Sequence, residues 1–492
     1  MEEIELEKEN NEKLENANNS NSGGKVVKNI IIVAISNIFT LLSGILVGFL
    51  LPKIMTKADY GLYKTFTLYM GYIGLFPLGI IDGIYLIFAG MKYKELNREK
   101  FRLYTKFLCV FQLIFTLIIT LVSIPFMGYE LGIVFFFLGI NVIFNSMSGY
   151  YQIVSQITGR FKELSIRNTI RAILNSLSIL ILTGLFYFNV IDFVSYYIYI
   201  IIYTLISVVL TLWYVFTYRD ITFGKTAAFK DERNNIVKFF KVGFPLLVAN
   251  LVSSFILTID RQFVSILFDI ETYASYAFAY NLLGLITTVI AAISVVLYPT
   301  IKVFNDEQLK NNYNRLNAII AIVVSLCVGS YYPLKFIIEN FLPNYVDSLP
   351  IFRVILPGLI ISSCISMIMF NYYKALNKQT RYFVISVIIL AISFLANLVA
   401  YLIFKTPLSI SIASVIVMAI WYVVVEFTIV RKYKLNPVKN IIYILVVLAM
   451  FFVLTQFIDN PFIGFGIYMA AYIAITLVFY FKLVKSKFRF DK

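Results

Sequence analysis

The chain has 492 residues, 60% of them hydrophobic and 14% charged, with a formal net charge of +15. Apolar usage that high excludes an ordinary soluble domain, in which about half the residues are apolar. The absence of histidine excludes His-based catalysis, His metal ligation and His proton relays; Cys109, Cys327 and Cys364 have no metal or redox spacing, so neither metal nor cofactor is expected.

Residues 1–28 are mostly acidic and Asn-rich without an apolar core, and read as a disordered cytoplasmic tail rather than a signal peptide. Crossing the hydrocarbon core takes about 20 mostly apolar residues per helix. Fourteen stretches qualify: 29–51, 66–89, 107–126, 131–153, 169–188, 194–217, 242–266, 274–298, 317–337, 350–371, 383–403, 408–430, 441–457 and 461–481. These are spans one to fourteen, predicting an all-α polytopic membrane protein.

Lys and Arg crowd every second connection, as in Lys92–Lys106, Arg219–Lys241 and Arg431–Lys439, while Met127–Glu130, Asn189–Asp192 and Phe268–Thr272 have none. Short basic loops stay cytoplasmic, which places both termini inside the cell in a cytoplasmic membrane. The first outer connection fits least well, with Lys53, Lys57 and Lys64. The same dispersal assigns the net charge to a membrane rim facing anionic lipid and argues against nucleic-acid binding.

The longest internal connection, 218–241, is polar with six basic residues and reads as a cytoplasmic linker between a six-helix unit, 29–217, and a second, 242–430. An echo crosses it: Tyr60 and Tyr63 between spans one and two match Tyr273 and Tyr276 between spans seven and eight. Thr158-Gly159-Arg160-Phe161 before span five matches Leu376-Asn377-Lys378-Gln379 before span eleven. Because six is even, the two units would be related by an axis along the membrane normal. Residues 431–492 lie outside the repeat, as spans thirteen and fourteen and a basic tail.

Polar side chains recur at helical spacing inside several spans. Span four carries Asn141, Asn145, Ser148, Gln152 and Gln156; span five Arg167, Arg171, Asn175 and Ser178; span seven Asn250, Ser254, Thr258 and Arg261, beside Asp260. Such stripes face either a partner helix, each bond worth about 1 kcal/mol, or a hydrated cavity. Asp82 lies inside span two without a basic neighbour in sequence, and Glu426 lies inside span twelve. Asp260 and Arg261, about 100° apart on the helix, are expected to pair with other helices. Arg171 and Arg353 sit near span ends and either snorkel or line a cavity. Tyr69, Tyr72 and Tyr280 are deep enough to stack on sugar rings; most other tyrosines fit the interface belts.

Ala58-Asp59-Tyr60-Gly61-Leu62-Tyr63, Val242-Gly243-Phe244-Pro245-Leu246, Thr258-Ile259-Asp260-Arg261 and Tyr273–Tyr280, in that order, resemble the polysaccharide flippases of the multidrug/oligosaccharidyl-lipid/polysaccharide exporter superfamily. The resemblance runs from about residue 28 to nearly the end of the chain. It implies two pseudo-symmetric six-helix lobes around a central cavity that opens alternately to each side, plus two C-terminal helices. It also implies a polyprenyl-diphosphate-linked oligosaccharide as cargo, membrane lipid around the carrier, and glycosyltransferases and a glycan polymerase in the same pathway. On this reading Arg171, Arg261 and Arg353 are candidates for diphosphate or acidic sugar, since guanidinium forks suit phosphate oxygens. Asn145, Gln152, Asn175 and Asn250 are candidates for sugar, and Asp82, Asp260 and Glu426 for a coupling ion or cavity wall. Where relatives carry a basic residue shortly after the span-two glycines, this chain has Leu86 and Ile87, so no basic contact is expected there. A cation-coupled multidrug exporter and a lipid II flippase are the alternatives. A membrane glycan polymerase or ligase fits least, because the outer connections are short and no enzymatic group is evident.

Overall fold

The computed structural model describes residues 23–302, 304–376 and 378–485. Most of the predicted acidic tail, the end of the basic C-terminal tail and Asn377 lie outside these residues. Every regular element among them is helical, as hydrocarbon demands, because a helix satisfies its own backbone polar groups.

Among the described residues twelve helices are long and apolar enough to cross a membrane, thirteen when the bent pair Lys57–Leu75 and Ile80–Phe88 counts as one span. The chain is therefore a multi-pass membrane protein. The expected fourteen is not reached in this count: the stretch 274–298 lies in the helix Ile270–Lys302, which is not among those helices.

Capping side chains start several helices earlier than apolarity alone predicts. Thr56 Oγ1 accepts the Asp59 N–H at 3.1 Å and opens the helix Lys57–Met70 well before residue 66. Asn97 accepts the Lys100 N–H at 3.2 Å and opens Arg98–Met127. Asp269 accepts both the hydroxyl (2.7 Å) and the N–H (2.9 Å) of Thr272, which hold its carboxyl below the usual range. The stretch 218–241, expected as a linker, is largely helical, forming Arg219–Thr222 and the start of Phe229–Ile256. It is docked rather than slack: Arg102 donates to the carbonyls of Asp220 (2.8 Å) and Lys225 (3.1 Å), and Tyr93 to the Asp220 carboxylate (2.6 Å).

Three predicted spans are broken. Span two stops at Met70, passes through a 3₁₀ turn at Ile73–Leu75 and restarts at Ile80, with a 52° bend. Span seven divides into Phe229–Ile256 and Ile259–Leu267, and span nine into Asp306–Val328 and Tyr331–Phe341. Span ten stays continuous but relaxes into a π-helical turn at Cys364–Met369.

Span one packs on span five, where Ser36 Oγ donates to the Ser165 carbonyl at 3.1 Å; span three packs on four, and span eleven on twelve. Spans thirteen and fourteen pair with each other and lie against span nine. Tyr468 and Tyr472 donate to the carbonyls of Ser325 (2.6 Å) and Ile322 (2.9 Å), and Gly464 leaves room for the ring of Tyr332. Span two joins the first half of the chain to the second, touching span seven with one segment and span eight with the other.

Candidate functional site

The breaks in spans two and seven meet. Tyr72 stacks on Phe255 (centroids 4.9 Å apart, 19° between planes), and its hydroxyl lies 2.9 Å from Thr258 Oγ1. On either side of this contact is a polar chamber inside the membrane-spanning region.

The first chamber, of about 660 Å³, lies towards the end of the bundle that carries the basic connections. Asp82, Asn145, Gln152, Gln156 and Asn250 line it. Span four supplies three of these from one helical face, and the period that brings them together is the one read from sequence. Between them sits Gly149, where an added Cβ would meet nothing within 4 Å. Asn145 directs its amide to the carbonyl (3.1 Å) and side-chain oxygen (3.2 Å) of Asn141, which is wholly buried and bonded in turn to Thr204 (2.7 Å). Among the described residues the side chains of Gln152, Gln156 and Asn250 have no hydrogen-bonded protein partner, and Asp82 has no ion-pair partner. Asp82 occupies the first turn of Ile80–Phe88, where a carboxylate complements the helix dipole.

The second region lies towards the opposite end and consists of two adjoining cavities that share Arg261, Tyr280 and Gly284. One, of about 390 Å³, is lined by Lys64, Arg261, Asn281, Thr40, Thr67 and Thr288, with no acidic residue in its wall among the described residues. The other, of about 510 Å³, adds Asp260 and a row of serines including Ser362 and Ser366. Lys64 Nζ donates to Asn281 Oδ1 at 3.0 Å and lies 5.2 Å from the ring of Tyr60. The Arg261 guanidinium lies 4.6 Å from the Tyr280 ring and donates to the Leu257 carbonyl at 3.0 Å, and its Nε is buried without a partner. Asp260, expected to pair with another helix, is held by hydroxyls of span eight. Tyr276 donates to it at 2.8 Å and Tyr280 donates to the same oxygen, while the Arg261 N–H bonds the other at 2.8 Å.

Lys64, read from sequence as charge on an outer connection, is thus a wall residue on the opening segment of span two. The signal was the pair Thr56 and Asp59, a helix start that places Lys64 in the second turn. Four expected site residues line none of these cavities. Arg171 and Asn175 are half-buried on span five. Arg353 donates to Gln456 on span thirteen at 3.1 Å. Glu426 is buried and accepts from Tyr422, one turn away, at 3.2 Å.

Towards each end of the bundle span two makes close contacts. At the basic end Gly79, Gly83 and Gly243 bring backbones together: a Cβ on Gly243 would lie 1.9 Å from the Gly79 carbonyl oxygen, and one on Gly83 2.2 Å from that of Phe239. Beside them Glu232 accepts from Lys100 (2.7 Å), Tyr104 (2.5 Å) and Asn235 (2.7 Å). At the other end a Cβ on Gly61 would lie 2.4 Å from the Ile270 carbonyl oxygen; Lys57 pairs with Asp347 at 2.5 Å, and Tyr60 meets the ring of Tyr345.

The broken helices of spans two and seven thus surround polar chambers within the membrane-spanning part of the chain. Residues 26–304 match the family model described as polysaccharide biosynthesis protein, and the chain belongs to that family. Among solved structures it is similar to the lipid II flippase MurJ in an inward closed conformation, with 18% identity and a TM-score of 0.67, covering 92% of this chain and all of that one. A point mutant of a MATE transporter is similar at 14% identity and a TM-score of 0.51, over 83% of this chain and 96% of that one. No curated protein matches the sequence.

Proposed function

We propose that the protein moves a polyprenyl-diphosphate-linked oligosaccharide from the cytoplasmic to the outer leaflet of the cytoplasmic membrane by alternating access, for surface polysaccharide synthesis. On this reading it has fourteen spans, with Ile270–Lys302 as the eighth. Residues 29–217 and 242–430 form two lobes, 218–241 the cytoplasmic connection between them, 431–492 the accessory pair and tail, and both termini are cytoplasmic. Glycosyltransferases and a glycan polymerase act before and after it.

The observation that carries the proposal is Lys64 and Arg261 in one cavity among the membrane-spanning helices, whose wall holds no acid among the described residues. Two like charges sharing a low-dielectric space are unfavourable until an anion joins them. A diphosphate supplies that anion, and the guanidinium binds its oxygens while the ammonium acts as a point charge. The first chamber, rich in carboxamides, takes sugar hydroxyls. Arg171 and Arg353, outside these walls, contribute in this scheme only to other conformations of the cycle. Asp82 and Asp260 remain the cavity carboxylates, and Glu426 a buried carboxylate apart from them. An exporter of cationic compounds is disfavoured by the same pair of charges.

Lys64→Ala and Arg261→Ala at matched expression each lower surface glycan at least about tenfold, as loss of a charged hydrogen bond predicts, with lipid-linked intermediate accumulating on the cytoplasmic side. Full export by both variants refutes the diphosphate assignment. A lipid II cargo is separated by complementing a strain depleted of its own lipid II flippase: rescue of peptidoglycan synthesis assigns that cargo instead.

A further inference from the structure

The two chambers differ in charge, and the difference bears on which sugars pass. Among the described residues no Lys or Arg lines the first chamber, and the one ionisable wall group besides Tyr203 is Asp82, among the carboxamides of Asn145, Gln152, Gln156 and Asn250. The basic residues stand on the far side of the Tyr72–Thr258 contact, with Lys64 and Arg261. Arg171 does not line the chamber.

Resting on the transport reading above, we infer that the head group accepted here is an uncharged or amine-bearing saccharide, and that saccharides carrying carboxylates are excluded. A carboxamide offers both a donor and an acceptor, which suits hydroxyl and acetamido groups. The side chains of Gln152, Gln156 and Asn250 have no protein partner among the described residues to give up, so their bonds are available to a ligand. Gly149 recesses the wall between Asn145 and Gln152, since nothing lies within 4 Å of a Cβ placed there, and a flat ring can approach the helix at that point. Asp82 accepts hydroxyls or pairs with an ammonium. A second carboxylate beside it would face a like charge with no cation in the wall to offset it, and like charges brought together disfavour their ionised forms. A chamber of about 660 Å³ is within the range of sites that enclose small ligands. The diphosphate, the same in every such cargo, does not need this chamber, because it has its own cations across the partition.

The test uses the full chain in proteoliposomes loaded with three short-chain polyprenyl-diphosphate disaccharides that differ only in the terminal sugar: N-acetylhexosamine, the free aminohexose and the hexuronic acid. The neutral and amine-bearing lipids should cross at comparable rates and the uronic acid at least about tenfold more slowly. Asp82→Asn should raise the acid-to-neutral rate ratio and Asp82→Glu preserve the discrimination. Should Asp82→Asn fold poorly, Asn250→Lys, on the same wall, should raise that ratio as well. Equal passage of all three lipids by the unmodified protein, or an unchanged ratio in the variants, overturns the inference while transport stands. If none of the three crosses, the transport reading itself falls and the inference with it.

Discussion

Span two makes close contacts at both ends of the bundle, but not of equal strength. At the basic end three glycines bring backbones into contact, and the neighbouring Glu232 side chain is 5% exposed with three donors on it. At the opposite end one glycine makes the approach, and the Asp347 side chain of the ion pair is 54% exposed. Exposed pairs contribute little and are screened by salt, whereas a buried carboxylate stripped of its partners is costly. The end bearing Lys57 and Asp347 is therefore the easier one to open from this state.

Substitutions can break that asymmetry or sharpen it. Gly243→Leu, which drives a side chain into the backbone of Gly79, should have the largest effect, about 3 kcal/mol or more of destabilisation read from unfolding in detergent. Glu232→Ala follows, at about 2 kcal/mol, because the buried Tyr104 hydroxyl loses its acceptor. Asp347→Ala should cost less than about 1 kcal/mol and vanish into background at high salt. If Asp347→Ala proves as costly as Glu232→Ala, the ranking of the two ends is wrong. Gly149→Leu should cost nothing in stability, and a mid-helix glycine replaced by leucine can add up to about 1 kcal/mol. It should nonetheless abolish glycan export by filling the first chamber. The same chemical change at Gly243 and Gly149 thus separates a seal from a chamber, and equal melting temperatures for the two would refute the separation.

The helices were legible in the sequence because hydrocarbon leaves the backbone no alternative. The face of span four holding Asn145 and Gln152 was legible from its period, which survives as the first chamber's wall. The breaks were not: a hydropathy window averages across Gly71, Gly74, Pro77 and Gly79, although glycine and proline so close together mark a place where a helix stops. Lys64 was misplaced because apolarity set the start of span two, whereas the Thr56 cap sets it. Asp260 and Arg353 needed coordinates, since their partners Tyr276, Tyr280 and Gln456 are fixed by helix rotation and not by spacing. Gly243 illustrates a further limit: its contact with Gly79 is long-range, and nothing local in the sequence records it.

The hydroxyls of Tyr468 and Tyr472 end on main-chain oxygens of span nine, and the ring of Tyr332 lies over Gly464. The last two helices are thereby bolted to a helix of the second half, so any stroke that tilts span nine must sweep a wider paddle through the bilayer. Viscous drag and lipid order then enter the turnover rate, and the carrier should slow in stiff, sterol-like or gel-phase membranes even when its cargo is plentiful.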